Sequence, residues 1–138
     1  MAHKGRVQTV RDSFQVVRTD ADAFARGFYD RLFAKRPEMR GLFADDMSAQ
    51  QAKLVTTLVT AVNMFDTPSQ LIKPLKQLGA SHAQMGLSQA DYQLVVDTII
   101  ETLETTLGSA WDVAHDRAWR GLLDFVSNVM QEGAADAA

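Results

Sequence analysis

Apolar side chains return every three to four residues along almost the whole chain, and that period restricts what the chain can fold into. Val7, Val10, Phe14 and Val17 follow a 3-4-3 spacing and predict a first helix. Thr19-Asp20 offers a cap for a second, striped by Ala21, Phe24, Ala25, Phe28 and Leu32, with Tyr29 and Phe33 beside the stripe. Pro37 ends that helix or opens a short one, and Gly41 to Met47 reads as a loop. Ser48 is the expected cap of the next helix, whose apolar face is Leu54, Leu58, Ala61, Val62 and Phe65. After the turn Asp66-Thr67-Pro68-Ser69, one helix is expected from about Ser69 to Ala83, with Pro74 tolerated near its start and Gly86 as its stop. Ser88 caps the following helix with Asp91 three residues on, and the stripe Tyr92, Val95, Val96, Ile99, Leu103, Leu107 runs to Gly108. A last helix begins near Asp112 and carries Ala118, Trp119, Leu122, Phe125, Val126, Val129 and Met130. Six to seven helices and no strand make an all-α protein of non-parallel helices. Residues 1–138 form one expected domain, with a core over 5–132 and a frayed tail over 133–138.

The bulk numbers narrow the class further. At 138 residues the chain can bury a genuine core. A net charge of −3 and a pI of about 5.5 point away from nucleic acid and from anionic membrane as partners. The absence of cysteine excludes disulfides, thiolate metal sites and a cysteine nucleophile. No signal-peptide pattern follows Met1, no stretch is apolar enough to span a bilayer, and a cytoplasmic location is expected. No phosphate-binding glycine loop, paired carboxylate or nucleophile motif appears.

His82 is the residue with most chemical potential. It stands near a helix end in Leu78-Gly79-Ala80-Ser81-His82-Ala83-Gln84-Met85-Gly86, where chain and ligand can approach closely. An arbitrary helical histidine usually makes one structural hydrogen bond, as do His3 at the terminus and His115 in a polar first turn by this reading. A lone imidazole accompanied by the aromatic segment Phe24 to Phe43 instead suggests a flat apolar cofactor whose metal takes one nitrogen ligand. Tyr29 is either a core tyrosine or a donor aimed into a pocket. Gln50 lies one turn before Leu54, so an amide and an aliphatic wall share one side of a helix. Phe43 is an oddity in a loop unless something apolar covers it.

Taken together, these segments resemble a known family. Phe28-Tyr29-Asp30-Arg31-Leu32-Phe33 through Pro37 to Leu42-Phe43 is similar to the second helix and corner of bacterial globins. Gln50-Gln51-Ala52-Lys53-Leu54 resembles the start of their distal helix, and Leu78-Gly79 to His82 and Gly86, followed by Tyr92, resembles their proximal segment. Ala118-Trp119 resembles the opening of their last helix. The likeness covers residues 5–132 and is strongest to single-domain bacterial haemoglobins and to the globin domain of flavohaemoglobins.

The resemblance implies a globin fold around haem b, iron protoporphyrin IX. His82 is then the proximal iron ligand, Phe43 stacks on the porphyrin, Tyr29 and Gln50 are the distal polar pair, Leu54 is the distal wall, and Lys53 reaches a propionate. It also implies reversible binding of dioxygen, nitric oxide and carbon monoxide at a five-coordinate ferrous iron; the alternative is nitric oxide dioxygenation. Flavohaemoglobins polarise the proximal histidine with a last-helix glutamate held by a tyrosine. Tyr92 matches that tyrosine, whereas the glutamate position falls on Ala134, and Glu132 points about 200° away round a helix. Without a flavin domain, turnover is expected to need a separate reductase as partner.

Overall fold

The computed structural model describes the backbone of residues 2–137 and the side chains from Gly5 to Ala137; His3 lies outside the described side chains, and Ala138 outside the described residues. Six α-helices follow one another: α1 (Ala2–Arg18), α2 (Ala21–Lys35), α3 (Ser48–Asn63), α4 (Ile72–Ser81), α5 (Gln89–Leu107) and α6 (Val113–Ala137), joined by short 3-10 turns, with no strand among the described residues. The expected apolar stripes form the core: Val10, Phe14, Leu32, Leu58, Leu103, Trp119 and Leu122 are all buried. The Trp119 indole N–H finds its buried partner in Ser13 Oγ at 2.9 Å, and Ser13 in turn donates to Thr9 O, so no polar atom of that contact is stranded.

Local chemistry sets the helix ends. Asp20 caps α2 by accepting from Ala23 N–H. Ser88 and Asp91 form a reciprocal capping box at α5, and Gly108 leaves it at φ 57°. Three expectations change. Ser48 does not cap α3: it is already helical, and Asp46 Oδ1 accepts its N–H at 2.9 Å, which holds the Asp46 carboxyl below its ordinary range. The single helix expected from Ser69 to Ala83 is divided, because Pro68 opens a 3-10 turn over Pro68–Leu71 and α4 proper begins at Ile72, with Pro74 in its first turn where a missing N–H costs nothing. The expected tail is helical as far as it is described: α6 continues to Ala137, and Gly133 is buried against the backbone of α4.

Packing then creates a gap. α4 lies most extensively on α6, while α1 also packs on α6, α2 on α5 and α3, and α5 on α6. Among the described residues α3 and α4 have no comparable backbone contact; a cavity of about 190 Å³ separates them, lined by Thr57 and Ala61 of α3 and by Leu75 and Leu78 of α4.

Candidate functional site

The α2 side of the candidate site is an aromatic cluster around one hydroxyl. Tyr29 is buried, its ring edge-on to Phe28 at 4.8 Å and to Phe43 at 5.7 Å, with Phe33 at 5.9 Å. Gln50, on the first turn of α3, donates from Nε2 to Tyr29 Oη at 3.1 Å. Because the phenol oxygen is accepting there, its own proton is left to donate elsewhere. Burial pushes the Tyr29 pKa up, with the Gln50 bond opposing, so the hydroxyl stays protonated through the physiological range.

The loop that brings Phe43 to Tyr29 is fastened by a residue sequence reasoning missed. Arg40 donates to Ala44 O at 2.9 Å and to Asp45 O at 3.0 Å, while its guanidinium stands 5.6 Å over the Phe33 ring. Its place three residues before Phe43 was the available signal. Leu54 is half-buried against the core one turn beyond Gln50, and Lys53 is exposed.

The α4 side is built on backbone. His82 is the C-terminal cap of α4, half-buried, and its Nδ1 lies 2.7 Å from Leu78 O. A carbonyl can only accept, so Nδ1 carries the proton; in the neutral imidazole Nε2 then keeps a free lone pair, the form a metal requires. Ser81 Oγ also donates to Leu78 O at 2.7 Å. His82 lines a second cavity, of about 290 Å³, with Leu87, Tyr92, Gln131 and Ala134. Tyr92 Oη is buried with no protein partner among the described residues, and burial raises its pKa. Ala134 therefore faces the same cavity as His82 and Tyr92, and Glu132 is exposed, so no carboxylate of α6 reaches the imidazole. The structure thus joins Tyr29, Gln50 and Phe43 in one cluster, and His82 and Tyr92 in another.

The family model for Globin matches residues 26–130, from within α2 to within α6, and holds every one of these residues except Gln131, Glu132 and Ala134. The chain belongs to the globin family. Among curated relatives, this globin is 27% identical over 104 residues to the flavohaemoprotein of Bordetella pertussis, covering 73% of the chain. It spans only 26% of that protein's length. Among solved structures, an engineered carbene transferase of Rhodothermus marinus, named for nitric oxide dioxygenation, is 26% identical with a TM-score of 0.83, covering 96% of this chain and 92% of that one. The bacterial globin of Campylobacter jejuni shares the fold at 15% identity and a TM-score of 0.84, with 96% of each chain covered.

Proposed function

We propose that this globin binds haem through the imidazole of His82, with Tyr29 and Gln50 serving the gas, and takes up dioxygen and related diatomic gases reversibly. The observation that carries the reading is the His82 ring: its Nδ1–H is committed to Leu78 O, so its Nε2 lone pair is free. No group of three His, Asp or Glu residues among those described could hold a bare ion. A metal taken by His82 must therefore bring most of its own ligands, as iron protoporphyrin does.

Haem bound there would supply an iron centre able to take a diatomic gas. The chain's part is to shape what surrounds that centre. Tyr29 has a proton to give, and Gln50 fixes the direction of the phenol by donating to its oxygen. A hydrogen bond from Tyr29 to a ligand atom carrying partial negative charge contributes about 1.5–3 kcal/mol, or roughly ten- to a hundredfold in affinity. Phe28, Phe33 and Phe43 exclude water around the hydroxyl, which strengthens that bond. Phe43 also offers an aromatic face to the macrocycle, and Leu54 an aliphatic one. Lys53, exposed on α3, is available to a propionate.

The second reading is nitric oxide dioxygenation, favoured by the flavohaemoprotein relative and by the Rhodothermus protein's name. Its balance is NO + O2 + e⁻ giving nitrate, with the electron drawn from a reductase. Multi-turnover consumption of nitric oxide with a supplied reductase separates this reading from simple binding. A cysteine-free, mildly acidic chain suits the cytoplasm.

The test is a titration with haem. One equivalent is expected to give a saturating Soret band, and the His82→Ala variant is expected to lose stable binding. Equal retention by wild type and variant would remove His82 from the role.

A further inference from the structure

We infer that Arg40 is a positioning residue, a latch that keeps the loop from Phe43 to Met47 closed against the Tyr29 ring. Three rings meet there in a triangle. Tyr29 and Phe43 stand 5.7 Å apart, Tyr29 and Phe33 5.9 Å, and Phe33 and Phe43 5.6 Å. Tyr29 and Phe33 lie one turn apart on α2, so the helix fixes both. Phe43 is on no helix: it follows the 3-10 turn over Pro37–Leu42 in extended backbone. Its place depends on how the loop behind it is held.

That loop has little of its own to hold it. Phe43 N–H donates to Arg40 O at 3.2 Å, and at the far end Met47 O accepts from Gln51 N–H. Between those two bonds no backbone–backbone bond forms among the described residues. Arg40 takes the carbonyls instead: Nη1 donates to Ala44 O at 2.9 Å and Nη2 to Asp45 O at 3.0 Å, with Phe43 O 3.4 Å from Nη1. A guanidinium is a rigid planar fork, so both bonds persist only while the loop stays bent back. The same cation stands 5.6 Å over the Phe33 ring. Arg40 therefore grips two corners of the triangle, the Phe33 face and the Phe43 backbone, and the third corner is Tyr29. No carboxylate among the described residues pairs with it, so carbonyl dipoles and a ring face are what hold the cation. Gln50 directs the phenol; Arg40 decides whether Phe43 covers it. With the loop open, water reaches the hydroxyl and competes for its proton. The bearing of this on gas rests on the function proposed above.

The test uses the full chain with Arg40→Gln, which removes the fork, and with Arg26→Gln as control, since Arg26 is exposed on α2. In the haem-free protein, NMR cross-peaks between the Tyr29 and Phe43 rings are expected in wild type and control and are expected to weaken in Arg40→Gln. The Phe43 amide is expected to exchange roughly ten- to a hundredfold faster in that variant, the scale of one lost hydrogen bond to a charged group. Amides in the middle of α5 are expected to keep their wild-type rates, which separates loop opening from general destabilisation. In the haem-loaded ferrous protein, Arg40→Gln is expected to release dioxygen severalfold faster. A folded Arg40→Gln with wild-type cross-peaks and wild-type Phe43 exchange would overturn the inference. If no protein binds haem, the proposed function fails, and the haem-free result alone decides for or against Arg40. If Arg40→Gln does not fold, ¹⁵N NMR of the wild-type guanidinium decides. Distinct, slowly interchanging Arg40 Nη signals are then expected; a single averaged signal would overturn the inference.

Discussion

The two sides of the site are held by different means. Around Tyr29, side chains do the positioning: an amide bonds the phenol, three phenylalanine rings surround it, and Arg40 clamps the loop that carries one of them. Around His82, backbone does it: a carbonyl one turn earlier orients the ring, and α4 is registered by a glycine contact with α6. Of the hydroxyls there, Ser81 Oγ lies 3.3 Å from His82 Nδ1 and donates to the same Leu78 carbonyl, and Tyr92 Oη bonds to no described protein group. A side-chain network can be retuned by single substitutions that leave the fold alone. A backbone-held ligand changes only when the helices move. By this account the Tyr29 side sets selectivity among gases and the His82 side sets retention of haem.

The largest effect expected is His82→Ala, which removes the axial nitrogen; haem loss should accelerate by at least about a hundredfold, the upper scale for disturbed metal sites, as measured by transfer to an excess of apo-acceptor. Slow loss in that variant breaks the division between the two sides. Next comes Tyr29→Phe, expected to speed dioxygen release about ten- to a hundredfold by stopped-flow displacement while leaving haem loss near wild type. If haem loss changes as much as gas release, the two sides are not separable.

Ser88→Ala is expected to cost about 1 kcal/mol in denaturant unfolding by removing half of the α5 capping box. Asp91, the other half, carries a pKa below its ordinary value, first through the Ser88 N–H and also through Arg36, whose Nη1 lies at 2.7 Å. A depressed carboxyl pKa gives stability above the unfolded value, about 3.9, and loses it as pH falls through the folded value. Asp91→Asn should therefore be destabilising at neutral pH, and the difference from wild type should close below about pH 4. The smallest effect is Tyr92→Phe. Deleting a buried hydroxyl without a protein partner should leave stability within about 1 kcal/mol of wild type or raise it slightly, whereas Tyr29→Phe leaves the Gln50 amide without its acceptor.

The helices were legible because each buries one stripe, and a 3.6-residue period survives in the sequence. The ends were less so. Ser48 reads as a cap by type, but Asp46, two residues earlier, takes the N–H, a choice set by loop geometry that composition does not encode. Gly133 falls in the expected tail; its close approach is to Lys76 in another helix, and no local window contains both. Within the site, the Gln50–Leu54 relation follows from helical spacing, and so does a His82 ring reaching the carbonyl of Leu78, although the latter was not anticipated. The meeting of Tyr29, Gln50 and Phe43 came from the family pattern, since no period links residues on a helix, a loop and a second helix. Counting without gaps from Trp119 puts the family's glutamate position on Ala134, and along the unbroken α6 Ala134 lines the same cavity as His82 and Tyr92.

The most direct test of the central claim is the rate of dioxygen release from the reduced, haem-loaded protein, followed by absorption in wild type and in Tyr29→Phe. The account predicts a stable oxy spectrum in wild type and release at least severalfold faster in the variant. A wild-type protein that forms no oxy spectrum, or a variant that releases dioxygen at the wild-type rate, would contradict it.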